Sequence, residues 1–323
     1  MVKSSFLSRL SRADWFGPLL AVLITVAIIR TFSPNFLSAF NIQTLLLAIA
    51  VNVLIAFSQM IIIAIGQMNL SVGAIGGLSA IAFAGMIEVW GVPAPYAAIA
   101  ALLAGVACGV LNGVLISVTG ISAFVITLAT LSIYKGINLG ITHAQPFYGV
   151  PESVKALGTA ALIGPVPMLI LPTLIAAAAL WFLLARLPAG RFILAVGGNE
   201  HAASLSGISV RKVVILAHAI SGLLAACAGI LLVARLQIGQ PSIGDDWLIL
   251  SFAAPVIGGA VLAGGHVSVA ATSLGVVIVA LITQALVLFS IDPFLVQVVL
   301  GSLILAAVGI NRLRQVRLAS GRA

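Results

Sequence analysis

Long apolar runs alternate with short polar interruptions along this chain from its first residues to its last. Runs of about 20 apolar residues, the length a helix needs to cross a bilayer, can be drawn at roughly 15–33, 42–65, 71–90, 95–117, 121–142, 166–187, 213–236, 247–264, 267–290 and 293–311. Pro93 with Pro95, Pro188 and Pro293 fall between runs, where a helix must begin or end. The pattern predicts an all-α integral membrane protein: one transmembrane domain over residues 1–323 with about ten transmembrane helices, some broken or short. The strict alternation of a membrane β-barrel does not occur.

One stretch resists a plain span. "IAIGQMNLSVGAIGG", Ile63–Gly77, carries Gln67, Asn69 and Ser71 among four glycines. Irregular backbone survives at membrane depth only when buried in protein or lining a cavity. Glycines let the chain break, and Asn69 with Ser71 can satisfy the freed backbone groups. A turn and helix start between the second and third spans, held at membrane depth, is the expected structure. Ahead of it, Asn52 and Gln59 are seven apart and share a helix face that Gly66 continues. Asn52, Gln59, Gln67, Asn69 and Ser71 are therefore the candidate substrate pathway. Intramembrane polar groups face a wet path or bond a neighbouring helix. The same choice applies to Asn112, Thr127, Thr130, Thr283 and Gln284. Gly105, Gly109 and Gly113 make a small-residue face suited to close helix packing.

Composition sharpens the membrane reading. The chain is 62% hydrophobic and 7% charged, where soluble domains carry about 25% charge. Its net charge of +8 lies at the termini and in one loop, as orientation signals do, which argues against a nucleic-acid surface. With the N-terminus inside, Lys3, Arg9, Arg12, Arg186, Arg191, Arg211, Lys212, Arg312, Arg314, Arg317 and Arg322 fall inside. Arg30, Lys135, Lys155 and Arg235 fall outside, with Glu88, Glu152, Asp245, Asp246 and Asp292. Both termini are then cytoplasmic, and the first span reads as uncleaved. Cys108 and Cys227 lie in spans as packing residues, and neither they nor the histidines have metal-site spacing.

The only long inward loop, residues 188–212, holds a two-turn helix. Asn199 is a good N-cap, Glu200 suits the positive helix end, and Gly207 can stop the helix in a left-handed cap. So short a helix needs a docking partner, either a second protein or its own spans. No loop has room for a catalytic or nucleotide-binding domain, and no phosphate-loop motif occurs. Uphill transport would draw on an ion gradient or on another polypeptide.

The segments "GRFILAVGGNEHAASLSGISV", "SGLLAACAGILLVARL" (221–236) and "PVIGGAVLAGGHVSVAATSLG" (255–275), in that order, resemble the permease subunits of ribose-type ABC importers. The Ile63–Gly77 stretch resembles that family's "GGIDLSVG" signature. The resemblance spans roughly residues 15–311. It implies a coupling helix within 198–207, with Gly198, Asn199, Glu200, Ala202, Ala203, Leu205, Ser206 and Gly207 docking on a cytoplasmic ATPase subunit. It also implies a second permease subunit, identical or different, and a periplasmic or extracellular sugar-binding protein. ATP is then used by the partner, with no cofactor or metal on this chain. A bacterial cytoplasmic membrane and a small polar solute, a monosaccharide first, complete the implied picture. Against the family pattern, Gln67 replaces glycine and Asn69 replaces aspartate. The family's "ELDAIAAVVIGG" reads "LILSFAAPVIGG" here, so Leu248 and Leu250 replace two acids and Pro255 is added, which bears on the outer gate.

Two other classes compete. Broken helices also suit an ion-coupled secondary transporter, but the sequence maps all seven acids to loops or span ends. An intramembrane enzyme needs a nucleophile with a base, or a metal, and Ser71 has no histidine at a suggestive position.

Overall fold

The computed structural model describes residues 14–292 and, beyond them, 295, 297–299, 301, 302, 305, 306 and 309. The basic residues at both termini lie outside the described residues, as does much of the span at 293–311. The elements run α1 (Phe16–Phe32), a 3-10 turn (Pro34–Leu37), α2 (Ala39–Ala64), α3 (Val72–Trp90), α4 (Ala94–Thr119) and α5 (Ala123–Thr142). An excursion follows, with α6 (Glu152–Thr159) and an antiparallel hairpin of β1 (Ala161–Ile163) and β2 (Val166–Pro167). Then come α7 (Ile170–Arg186), α8 (Pro188–Gly198), α9 (Glu200–Leu205), α10 (Val210–Leu236), α11 (Trp247–Ile257) and α12 (Val269–Leu288).

Among the described residues, α2, α3, α4, α5, α10 and α12 are long and apolar enough to cross a bilayer. A seventh span results if α7 and α8, bent by 73° at Leu187–Pro188, count as one. The chain is thus a mostly helical, multi-pass membrane protein. The sequence reads a full span at 247–264, but helix α11 covers only 11 residues of it. Pro255 sits inside that helix, and Gly259, Gly264 and Gly265 take positive φ just after it, so the remainder is turn.

Helix α10 is the central post, packed against α4, α2 and α3. The small-residue face of α4 makes the closest of these contacts. A Cβ at Gly105, Gly109 or Gly113 would run into Gly222 and Ala226, the His218 carbonyl, or the Ile215 backbone. Helix α5 has the polarity of a soluble helix reversed. Its buried face is Ala123, Thr127, Thr130, Tyr134, Asn138 and Thr142, while Phe124, Leu128, Ile133 and Ile137 face outward. Lipid tails are the surroundings that such a helix suits.

Two stretches of irregular backbone run through the protein interior. The first joins α2 to α3. The second, Gln237–Asp246, follows α10 and descends along α3. Gly239 lies against Ala84, the Ile243 carbonyl against Gly77, and Gly244 against Gly73. From Ala84 to Gly73 is 11 helical residues, or about 16 Å. At the lowest point a Cβ on either Gly73 or Gly244 would overlap the other's carbonyl oxygen, and Gly244 has φ +96°. The sequence places Asp245 and Asp246 in an outward loop; the structure places them directly after Gly244, which packs on Gly73 near the start of α3, and at the start of α11. Lys135, also read as outside, lies within α5, 12 residues after Ala123 and 7 before Thr142.

Three segments meet at the other end of the chain. The Gly265 N–H donates to the Ala64 carbonyl at 3.0 Å, and Gly197 of α8 packs on the same carbonyl. Asp14, just before α1, contacts His266 at 3.3 Å. The start of α1 and the α8–α9 corner therefore lie at one end of the bundle.

Candidate functional site

The break between α2 and α3 is closed by a buried polar junction. Asn69 Oδ1 accepts from the Ser71 N–H at 2.9 Å and from the Ser71 hydroxyl at 2.8 Å. That turn replaces the backbone bonds that the break gives up. Asn69 Nδ2 donates to Ser221 Oγ of α10 at 3.2 Å. Ser58 of α2 donates to the Ser221 carbonyl at 2.9 Å, so the 3.0 Å contact between the two hydroxyls is a Ser221 donation to Ser58. Gln59 faces the backbone of the break: with its amide turned so that the nitrogen meets Asn69 O and the oxygen meets Asn69 N, it donates at 3.0 Å and accepts at 3.2 Å.

Helices α4 and α5 complete the junction. Asn112 Nδ2 donates to the Ser71 hydroxyl at 2.8 Å, and Tyr134 OH reaches Asn112 Oδ1 at 3.1 Å and the Cys108 carbonyl at 3.0 Å. Thr127 Oγ1 donates to the Ala123 carbonyl at 2.7 Å and accepts from Leu70 N at 3.1 Å. Ser58, Gln59, Asn69, Ser71, Asn112 and Ser221 are all 0% exposed. Five helices are thus tied to one non-helical turn through neutral groups, in surroundings where an unmade bond is expensive.

Beside the junction an opening of about 630 Å³ reaches the α8–α9 end. Gln67 and Met68 of the break line it, with the end of α4, the start of α5, Glu200 of α9 and Arg211 of α10. Gln67 Oε1 is 3.1 Å from His218 Nε2, whose other ring nitrogen has no partner among the described residues. A larger crevice of about 1060 Å³, lined by Leu180, Leu183, Leu224 and Cys227 among others, is almost wholly apolar and offers a polar solute nothing to bond.

Helix α9 is built as its sequence predicts. Asn199 caps it, its side chain accepting from Ala202 N at 2.9 Å; Gly207 takes φ +83°, and Ile208 N returns to the Ala203 carbonyl at 3.1 Å. Ala203 alone of the helix is buried, in a cluster with Ile193, Val196 and Val213. Leu205 is 78% exposed, and Gly198, Glu200, Ala202, Ser206 and Gly207 are exposed with it. Gly198 and its neighbour Gly197 belong to the end of helix α8, which lies within the stretch that the sequence reads as an inward loop.

Of the five pathway candidates, the structure gathers Gln59, Asn69 and Ser71 into the closed junction. Gln67 stands on the opening, and Asn52 is partly buried two turns up α2, apart from the network. Ser58, Ser221, Tyr134 and His218 are partners that sequence reasoning did not select. A serine in an apolar helix carries no local mark of its use, and Ser221 is 152 positions from Asn69. The structure also joins Lys135 to Asp245 as an ion pair, with Asp245 in the turn just ahead of α11. Among the described residues no cluster of His, Cys, Asp or Glu could hold a metal.

The family model described as "Branched-chain amino acid transport system / permease component" matches residues 41–308. The chain is 38% identical over 299 residues to the ribose import permease protein of Bacillus subtilis, covering 92% of each chain. It is 36% identical to the D-allose transport system permease protein of Escherichia coli, over 93% of this chain and 92% of that one. To the L-arabinose transport system permease protein of Escherichia coli it is 34% identical, over 94% and 92%. No solved structure matches it.

Proposed function

This chain belongs to the branched-chain amino acid transport system permease family, as a non-catalytic membrane subunit of an ABC importer, and we infer that its cargo is a monosaccharide. Relatives named for ribose, allose and arabinose, each matched nearly end to end, support that cargo class. The observation that carries the coupling role is α9: a helix capped at both ends, anchored by Ala203, with Leu205 turned outward at 78% exposure. Such an apolar side chain fits a groove on a cytoplasmic ATPase subunit. ATP is bound and hydrolysed there, and a secreted sugar-binding protein delivers solute to the opposite face.

The opening shared by Glu200, Arg211, Gln67 and Met68 gives motion at α9 a short route to the break. Closure of the ATPase pair presses on α9 and the α8–α9 corner, which abuts Ala64 at the end of α2. The break is where α2 and α3 can change angle without breaking a helix. Gln67 then borders the exit, and Asn52, Gln59, Asn69 and Ser71 meet solute once the junction opens. The reading of a single permease domain of about ten spans places both termini in the cytoplasm, and for the N-terminal side it has the support of Asp14, which contacts His266 at the α8–α9 end. The membrane is the bacterial cytoplasmic one, and the pathway is completed by a second permease subunit.

The test is reconstitution with the ATPase and the binding protein in liposomes. ATP-dependent uptake of D-ribose, D-allose or L-arabinose is expected. Uptake that persists without the ATPase, driven by a proton or sodium gradient, would instead establish an ion-coupled carrier.

A further inference from the structure

The ion pair between Lys135 of α5 and Asp245 lies on the outside of the chain, not in its core. The two side chains are 28% and 54% exposed. Lys135 Nζ also donates to the Pro241 carbonyl at 3.0 Å, an oxygen that accepts from Asn138 Nδ2 at 3.2 Å as well. Ser242 and Asp246 stand exposed on the same turn.

Depth follows from two independent helices. Along α5, Lys135 is about 18 Å from the Ala123 end and about 10 Å from the Thr142 end. Along α3, Gly244 meets Gly73, which is 17 residues, or about 25 Å, from the Trp90 end. Both distances fall within the hydrocarbon thickness of about 30 Å. Charged groups at that depth face water or polar protein rather than lipid tails. The pair therefore marks a wet face beside the otherwise apolar outer surface of α5.

The patch also holds unused bonding capacity. Among the described residues, two of the three Lys135 ammonium hydrogens have acceptors, and one Asp245 carboxylate oxygen is engaged, with Lys135. The Asp246 carboxylate bonds nothing there. Asn138 Oδ1, on a residue only 1% exposed, has no partner either. One ammonium donor beside several anionic acceptors matches the neighbouring hydroxyls of a sugar ring, each both a donor and an acceptor.

We propose that Lys135, Asp245 and Asp246 form a hydroxyl-binding station for a polyhydroxylated solute, midway along the translocation pathway. The ligand class rests on the monosaccharide reading above; the wet placement rests on geometry alone.

The test uses the full chain with its ATPase and binding protein, with Cys108 and Cys227 replaced by alanine and Asp246→Cys introduced. A membrane-impermeant thiol reagent should label Cys at 246, and the transported sugar among D-ribose, D-allose and L-arabinose should slow labelling about tenfold, as for a protected contact. Asp245→Asn and Asp246→Asn should each lower uptake about tenfold, the scale of one lost charged hydrogen bond, while the ATPase still co-purifies. Among the described residues Asp246 bonds nothing, so its neutral variant separates a lost contact from a folding defect. A thiol at 246 that never labels, as under a covering second copy, overturns the station. So does labelling unaffected by a sugar that the complex transports, or unchanged uptake in both neutral variants. If the unmodified complex transports none of the three sugars, the monosaccharide reading falls, and the ligand class of the station with it.

Discussion

Asn112 of α4 donates at 2.8 Å to the hydroxyl of Ser71, the residue just ahead of α3. The same amide accepts from Tyr134 of α5, so one side chain fixes three segments around the break. Asn112→Leu takes one buried partner from each of the Ser71 and Tyr134 hydroxyls, which keep only Asn69 Oδ1 and the Cys108 carbonyl. The expected cost is about 1–3 kcal/mol, read as a lower unfolding midpoint in detergent. Adding Ser71→Ala should cost less than its separate effect, because the two share one bond.

Asn69 falls where the "GGIDLSVG" signature that this stretch resembles has aspartate. Asn69→Asp keeps the oxygen that accepts from Ser71, and the Ser221 hydroxyl can turn to donate where Asn69 now donates to it. Complex formation with the ATPase should survive. Asn69→Leu loses every one of these bonds, and little assembled complex should be recovered by affinity purification.

Leu205→Glu changes an exposed side chain of α9 that packs on nothing buried. Co-purification of the ATPase should be lost while the unfolding midpoint of the permease stays put. Ala203→Pro should fail differently: the Ala203 N–H donates to the Asn199 carbonyl at 3.0 Å and its methyl is buried, so stability falls together with association. Asn199→Ala, which removes the cap alone, should cost about 1 kcal/mol.

Gly73→Ala and Gly244→Ala each drive a methyl into the facing carbonyl. Either should sharply reduce the yield of folded protein in size-exclusion chromatography. Gly17→Ala in α1, where nothing lies within 4 Å of the new atom, should be without effect.

Much of this architecture was legible because its signals are local. Apolar length marked the spans, the glycines with Asn69 and Ser71 marked the break, and Asn199 with Gly207 marked both ends of α9. The four-residue glycine spacing of α4 announced a close neighbour, which is α10. The outer reach of the chain was not legible in the same way. "QIGQPSIGDD" reads as a polar outward turn because nothing nearby in sequence says that α3 offers Gly73 and Gly77 for it to descend against. Lys135 did carry a signal, a cation inside a predicted span, yet its partner Asp245 is 110 positions away. The polar junction was half visible for the same reason: Gln59, Asn69 and Ser71 stood out, whereas Ser58 and Ser221 acquire a role only when α10 brings them together.

Helix α11 has a consequence for how the protein is made. Its 11 residues extend about 16 Å, roughly half of what a nascent chain needs to enter the bilayer as a span of its own. The Gln237–Asp246 segment ahead of it is non-helical, with backbone bonds that reach Phe147 and the α5 side chains Lys135 and Asn138, and it carries two carboxylates, which lipid would not accept. Its seat along α3 exists only after α3 and α10 have already been placed. Biosynthesis of this subunit therefore has a late step, in which residues 237–257 are drawn in sideways against a finished wall rather than threaded through in turn.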